Sequence, residues 1–147
     1  MSWWTYQQLR IGSPKARLAV VEKLSLEYDS DAVGPLIFAL KDKNPDVRCM
    51  ASRALLRYND LKAVEPLMAI LRDQVPLARA AAAETLGRLG DAKAIANLVS
   101  LLRDVDQVVR GIAVRSLNRL GWRPSSESDR VLQILAMGNL HELAAMG

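Results

Sequence analysis

The chain nearly repeats itself every 31 residues, and few architectures are compatible with that. Sliding the sequence by this period sets AVGPLIFALKDKNPDVRCMASRALLRYNDLK (32–62) on AVEPLMAILRDQVPLARAAAAETLGRLGDAK (63–93), with 13 of 31 positions identical. The following window, AIANLVSLLRDVDQVVRGIAVRSLNRLGWRP (94–124), matches the second at 11 positions, where unrelated sequence would give about two. The recurring columns are Leu36/Leu67/Leu98, Leu40/Leu71/Leu102, Asp42/Asp73/Asp104, Arg48/Arg79/Arg110, Ala51/Ala82/Ala113, Leu55/Leu86/Leu117 and Arg57/Arg88/Arg119. Self-similarity at such a period implies stacked units, each burying its apolar face on its neighbours.

Within a unit the apolar spacing predicts two helices. Val33, Leu36, Ile37 and Leu40 fall at i, i+3, i+4 and i+7, and after a polar break Val47, Ala51, Leu55 and Tyr58 form a second stripe. Ser13-Pro14, Asn44-Pro45 and Asp106-Gln107 are N-cap residues followed by first helical positions. Gly90 and Gly121 are stop signals suited to a left-handed residue. Leu and Ala supply 23 and 20 of 147 residues against seven aromatic rings, which fits helices with a narrow aliphatic interior.

The register extends weakly backwards, where Pro14 and Arg17 precede Pro45 and Arg48 by one period and Leu9, Val20 and Leu24 fall on core columns. Forwards it fails after Trp122-Arg123-Pro124, since Leu98 maps to Asp129 and Asp104 to Leu135. The expected organisation is a single all-α unit over 1–147: a degenerate repeat at 1–31, repeats at 32–62, 63–93 and 94–124, and a C-terminal helix pair at 125–147. That last pair, expected at 127–137 and 139–146, reads equally as a cap or as a lead-in to further repeats, with Ser126 and Asp129 resembling a capping box.

Several chemistries are excluded at this level. Cys49 is the sole cysteine and His141 the sole histidine, so one chain cannot assemble a thiolate cluster, a zinc finger or a multi-histidine metal site. The start, MSWWTYQQLRIGSPKAR, lacks the apolar core of a leader, and no stretch reaches the length of a membrane span. The expectation is a cytoplasmic protein without cofactor or metal.

The pattern A-(V/I)-x-P-L-x-x-x-L-x-D-x-x-x-x-V-R-x-x-A-x-x-x-L-x-R-L-G-D resembles the HEAT-like repeat, specifically the short bacterial type also seen in phycobilin lyase subunits. The resemblance implies a right-handed α-solenoid of four to five stacked helix pairs, first helices convex and second helices concave. It further implies that the Asp42, Asp73 and Asp104 ladder and the Arg48, Arg79 and Arg110 ladder, with Arg17, hydrogen-bond across adjacent loops and hold the stack in register. An anion-binding stripe is the alternative reading of those charges. His141-Glu142 resembles one His-Glu pair of the di-iron HEAT-repeat hydroxylases, which need several, so that chemistry is set aside.

Subtracting the core columns from the second helices leaves Cys49, Ser52, Arg53, Leu56 and Arg57, then Ala80, Ala83, Glu84, Gly87 and Arg88, then Gly111, Val114, Arg115, Asn118 and Arg119. This expected inner face is rich in small residues and edged with arginine. Arg53, Arg57, Glu84, Arg88, Arg115, Asn118 and Arg119 are its candidate partner-binding residues, the partner being a protein, acidic in character, or a fused domain of a longer chain. The small residues have a second reading, close approach of neighbouring helices. Residues 32–121 carry 14 Lys and Arg against nine Asp and Glu, but no aromatics interleave with the charges, so stacking-based nucleic-acid binding is not supported. A tetrapyrrole-handling lyase-like subunit and a weak phosphate-backbone binder are the alternatives to a non-catalytic interaction scaffold. Trp3, Trp4 and Tyr6 are expected to cap the open end of the stack rather than anchor a partner, Trp122 to seal the third repeat, and Cys49 to be unreactive.

Overall fold

The computed structural model describes residues 3–147, and among them are ten α-helices and no strand. They alternate as pairs: α1 (Trp3–Ile11) with α2 (Pro14–Leu26), α3 (Val33–Ala39) with α4 (Pro45–Tyr58), α5 (Val64–Ile70) with α6 (Pro76–Leu89), α7 (Ile95–Ser100) with α8 (Gln107–Arg119), and α9 (Glu127–Met137) with α10 (Leu140–Ala145). The architecture is an all-α solenoid. The first member of each of the first four pairs is termed the A helix and the second the B helix.

The B helices are the long ones, 13 or 14 residues each, because their ends are chemically defined. Proline occupies the first turn of α2, α4 and α6, where its missing N–H costs nothing. Ser13, Asn44 and Asp106 accept hydrogen bonds from the amides of Ala16, Asp46 and Val109 at 3.2, 2.8 and 3.0 Å. Asn59 and Gly90 stop α4 and α6 in the left-handed region, at φ 47° and 79°. The A helices are shorter, and α3, α5 and α7 are each entered through a 3₁₀ turn. Those turns are capped by Asp29, Asp60 and Asp91, each accepting from the amide two residues on at 2.9 Å. These three aspartates form one more column at the repeat period, the terminal Asp of the pattern.

The core is a ladder of leucines. Leu36, Leu40, Leu55, Leu67, Leu86, Leu98, Leu102 and Leu117 are fully buried, together with Val21, Val47, Val64 and Val109. Each such side chain contributes about 1.5–3 kcal/mol by leaving water. Ala51, Ala82 and Ala113 are also fully buried.

The two ends of the stack differ from the interior. Trp122 is half-buried against the core. The helix α9 packs on α8 and brings buried Ala136 into the core, while α10 packs on α9 and buries none of its residues. At the other end the expected aromatic cap is corrected: Trp3 and Trp4 are 65% and 67% exposed and pack edge-on to each other at 5.3 Å. The cause is helical phase. Leu9 is the only buried residue of α1, and at about 100° per residue Trp3 and Trp4 project well away from its side of the helix. Tyr6, one turn before Leu9, does pack, meeting the Phe38 ring edge-on at 5.9 Å.

Candidate functional site

Two sets of charged side chains recur at the repeat period. The first runs along the loops joining A and B helices. Arg17, Arg48 and Arg79 each place Nε and Nη2 on the carboxylate of the aspartate 25 residues later, Asp42, Asp73 and Asp104, at 2.6–2.8 Å. The remaining Nη1 donates to a carbonyl of the arginine's own loop: Gly12, Asp42 and Asp73 respectively, at 2.6, 2.8 and 2.7 Å. Each aspartate also accepts the amide two residues on, from Asn44, Val75 or Asp106. One arginine therefore ties its own loop to the next loop by a fork that only guanidinium can supply.

Burial by itself would push these carboxyls up, but the arginine hydrogen bonds, the loop amides and the flanking positive charges outweigh it. Asp42, Asp73 and Asp104 are held below the usual carboxylate range. The series stops at Arg110, which donates to the carbonyls of Asp104 and Val105 and forms no ion pair among the described residues, because the position 25 residues on, where its aspartate would stand, is Leu135. With their carboxylate oxygens occupied and their guanidinium nitrogens turned inward, the paired members present little free valence to an anion.

The second set lies on the B helices. The sequence reading placed fifteen residues on one inner face, and the structure divides them. Cys49, Ser52, Ala80, Ala83, Gly87 and Val114 are buried, and Ser52, Ala83 and Gly87 are corrected from groove lining to contact between neighbouring B helices. The reason is spacing: a Cβ on Gly87 would stand 2.5 Å from the Ser116 Cβ, so these helices touch backbone to side chain. Hydroxyls bridge the same contact. Thr85 Oγ1 donates to the Ser52 carbonyl at 2.9 Å and Ser116 Oγ to the Ala83 carbonyl at 2.8 Å. Burial pushes the Cys49 thiol up, away from the thiolate form that reacts.

The charged members remain at the surface. Arg53, Arg57, Arg88, Arg115, Asn118 and Arg119 are exposed, and Glu84 is half-buried beside Arg88 at 2.9 Å. Their spacing draws one line along each helix, since positions 7 and 11 residues apart fall within about 20° of one another around the axis. The lines run Asp46, Arg53, Arg57 on α4; Leu77, Glu84, Arg88 on α6; and Val108, Arg115, Arg119 on α8. Read across the helices, the surface is a grid with a basic row (Arg57, Arg88, Arg119) on one edge and Leu77 and Val108 on the other. Arg57 lies over the Tyr28 ring at 4.9 Å. Leu77 and Val108 are 52% and 65% exposed and, with Val75, Pro76, Ala80 and Asp106, line a shallow notch of about 350 Å³. The sequence reading passed over this apolar edge, although Asp46/Leu77/Val108 is itself a column at the repeat period.

Among the described residues no three His, Cys, Asp or Glu side chains are grouped to hold a metal ion, and no helix is long and apolar enough to cross a membrane. In comparison with known families, the model for HEAT repeats matches residues 4–76, 35–118 and 64–142. Among curated proteins none matches the chain.

Proposed function

Because the chain belongs to the HEAT-repeat family, whose repeats serve in general as non-catalytic surfaces for protein contact, we propose that it is a recognition scaffold taking an acidic protein partner on its B-helix face. The observation that supports this best is the grid itself: five arginines in three parallel lines, set against only Asp46 and Glu84. Curvature supports the same face. The B helices pack directly on one another through Ala, Gly and Ser, whereas the A helices form the looser layer. A stack held closer on one side bends toward that side, which makes the B face the concave one. The candidate contact residues are Arg53, Arg57, Glu84, Arg88, Arg115, Asn118 and Arg119, with the Asp and Arg ladder as the frame that spaces them.

The test is capture of a native partner by the wild-type chain and by the R53E/R88E/R119E variant. All three side chains are exposed, so the variant keeps its helical circular dichroism and loses the partner; undiminished capture overturns the face assignment. The basic grid also suits a phosphate backbone, a reading that requires duplex affinity to fall steeply with salt. The likeness to phycobilin lyase subunits is tested by adding an open-chain tetrapyrrole, where a shifted absorption band would replace the scaffold reading with a pigment-handling one.

A further inference from the structure

We propose that Arg110, the last member of the arginine series, is an open socket for an aspartate side chain of the protein partner. This rests on the scaffold reading above and goes beyond it by adding a residue outside the candidate contact set and naming the side chain that it takes.

The geometry of the socket is set by its filled neighbours. The Nη1 of Arg48 donates to the carbonyls of Asp42 and Lys43 at 2.8 and 3.1 Å, and that of Arg79 to Asp73 and Gln74 at 2.7 and 3.3 Å. Arg110 repeats the arrangement on Asp104 and Val105 at 2.7 and 3.2 Å. Two bonds from one nitrogen hold a planar guanidinium in place. In Arg48 and Arg79 the two nitrogens left over, Nε and Nη2, grip a carboxylate at 2.6–2.8 Å. In Arg110 the same two nitrogens have no partner among the described residues.

Both nitrogens are within reach of a ligand. Arg110 is half-buried, and among the described residues no side-chain nitrogen without a hydrogen bond is sealed from solvent. The chain's own register offers no carboxylate, since the place of the missing aspartate falls on Leu135. A second copy continuing the stack would not supply one either, because the aspartate column at its leading end falls on Ile11. The ligand therefore belongs to a different protein. The filled sockets also specify it: Oδ1 of Asp42, Asp73 and Asp104 accepts the amide two residues on at 2.8, 2.9 and 2.9 Å. That turn pre-positions the carboxylate on a short arm and is made by aspartate, whereas glutamate has one methylene too many. A phosphate also matches a guanidinium fork, but Asp106 in the same loop forms no ion pair among the described residues, and its charge counts twice against a dianion.

The probe is a blocked pentapeptide with the sequence of residues 72–76, RDQVP, whose one acid is the loop aspartate. It is added to the full isotope-labelled chain, in which the arginine Nε–H resonances report each fork separately. The Arg110 signal should move saturably toward those of Arg48 and Arg79, which stay fixed, and the D73N and D73E peptides should move it several-fold less. In the R110K chain, capture of the native partner should fall several-fold with helical circular dichroism unchanged. An unmoved Arg110 signal, equal movement with either altered peptide, greater movement with inorganic phosphate, or undiminished capture by R110K overturns the proposal. The peptide titration is independent of the R53E/R88E/R119E capture, so the socket and the B-face reading fail separately.

Discussion

Arg48 and Asp73 belong to consecutive repeats and meet in a two-point contact, Nε to Oδ2 at 2.6 Å and Nη2 to Oδ1 at 2.8 Å. The side chains are 15% and 8% exposed, and the third arginine nitrogen is spent on the Asp42 carbonyl. Removing either member strands the other. D73A should lower unfolding stability by about 2–3 kcal/mol, the range for a charge-assisted hydrogen bond with an orphaned partner. R48K should also destabilise, because an ammonium cannot hold both oxygens and the loop carbonyl in one geometry. Urea titration of both variants checks this, and a loss below about 0.5 kcal/mol for D73A would show the contact to be decorative.

The same pairs give the fold an acid limit. Asp42, Asp73 and Asp104 are held below the usual carboxylate range, so the unfolded chain binds protons there before the folded one does. Their contribution is complete above the unfolded value of about 3.9 and is lost as pH falls through the lower folded values. Thermal midpoints measured from pH 6 to pH 2.5 should hold near the top and drop progressively below about pH 4. In the D42N/D73N/D104N variant that acid-side drop should be smaller.

Two helix glycines should respond in opposite directions to alanine. Gly87 faces Ser116, whose Cα, Cβ and Oγ all lie within 2.7 Å of where the new methyl carbon would be. G87A must push two B helices apart, at a cost of about 1–3 kcal/mol. Gly111 sits inside α8 with nothing within 4 Å of the corresponding point, so G111A should stabilise by about 0.5–1 kcal/mol through helix propensity alone. Chemical denaturation of the pair reads out both signs.

Trp3 and Trp4 stand clear of the core, so W3S/W4S should shift stability by no more than about 0.5 kcal/mol. Tryptophan emission discriminates the rings: loss of the two exposed indoles should leave a blue-shifted spectrum from half-buried Trp122. A large drop in thermal midpoint would place the pair back in the core.

The solenoid was legible because its signal is repeated: each core leucine is seen three times in register, and noise at one position is corrected by the other two. The B-helix caps at Ser13, Asn44 and Asp106 were legible for a local reason, a side chain and an amide within three residues. What escaped needed distances between repeats. Nothing in the residue types distinguishes Ala83, buried between helices, from a small residue lining an open groove. Leu77 and Val108 drew no reading because their column opens with Asp46 and so carries no recurring residue type, yet their phase on the helix turns them outward. The tryptophans misled by the converse, since aromatic character suggests burial while the phase set by Leu9 denies it.

The run of arginine forks stops at Arg110, and this makes the molecule mechanically lopsided. From Arg17 to Asp104 every joint between repeats is bolted at its loop, whereas among the described residues no arginine fork ties α9 or α10 to the stack. Tension applied to the C-terminus would peel that pair away without breaking a single fork, and the first strong resistance would come at the joint between Arg79 and Asp104. The chain is thus a stiff bar with a hinged tailpiece, and amide exchange should be fastest in the tailpiece.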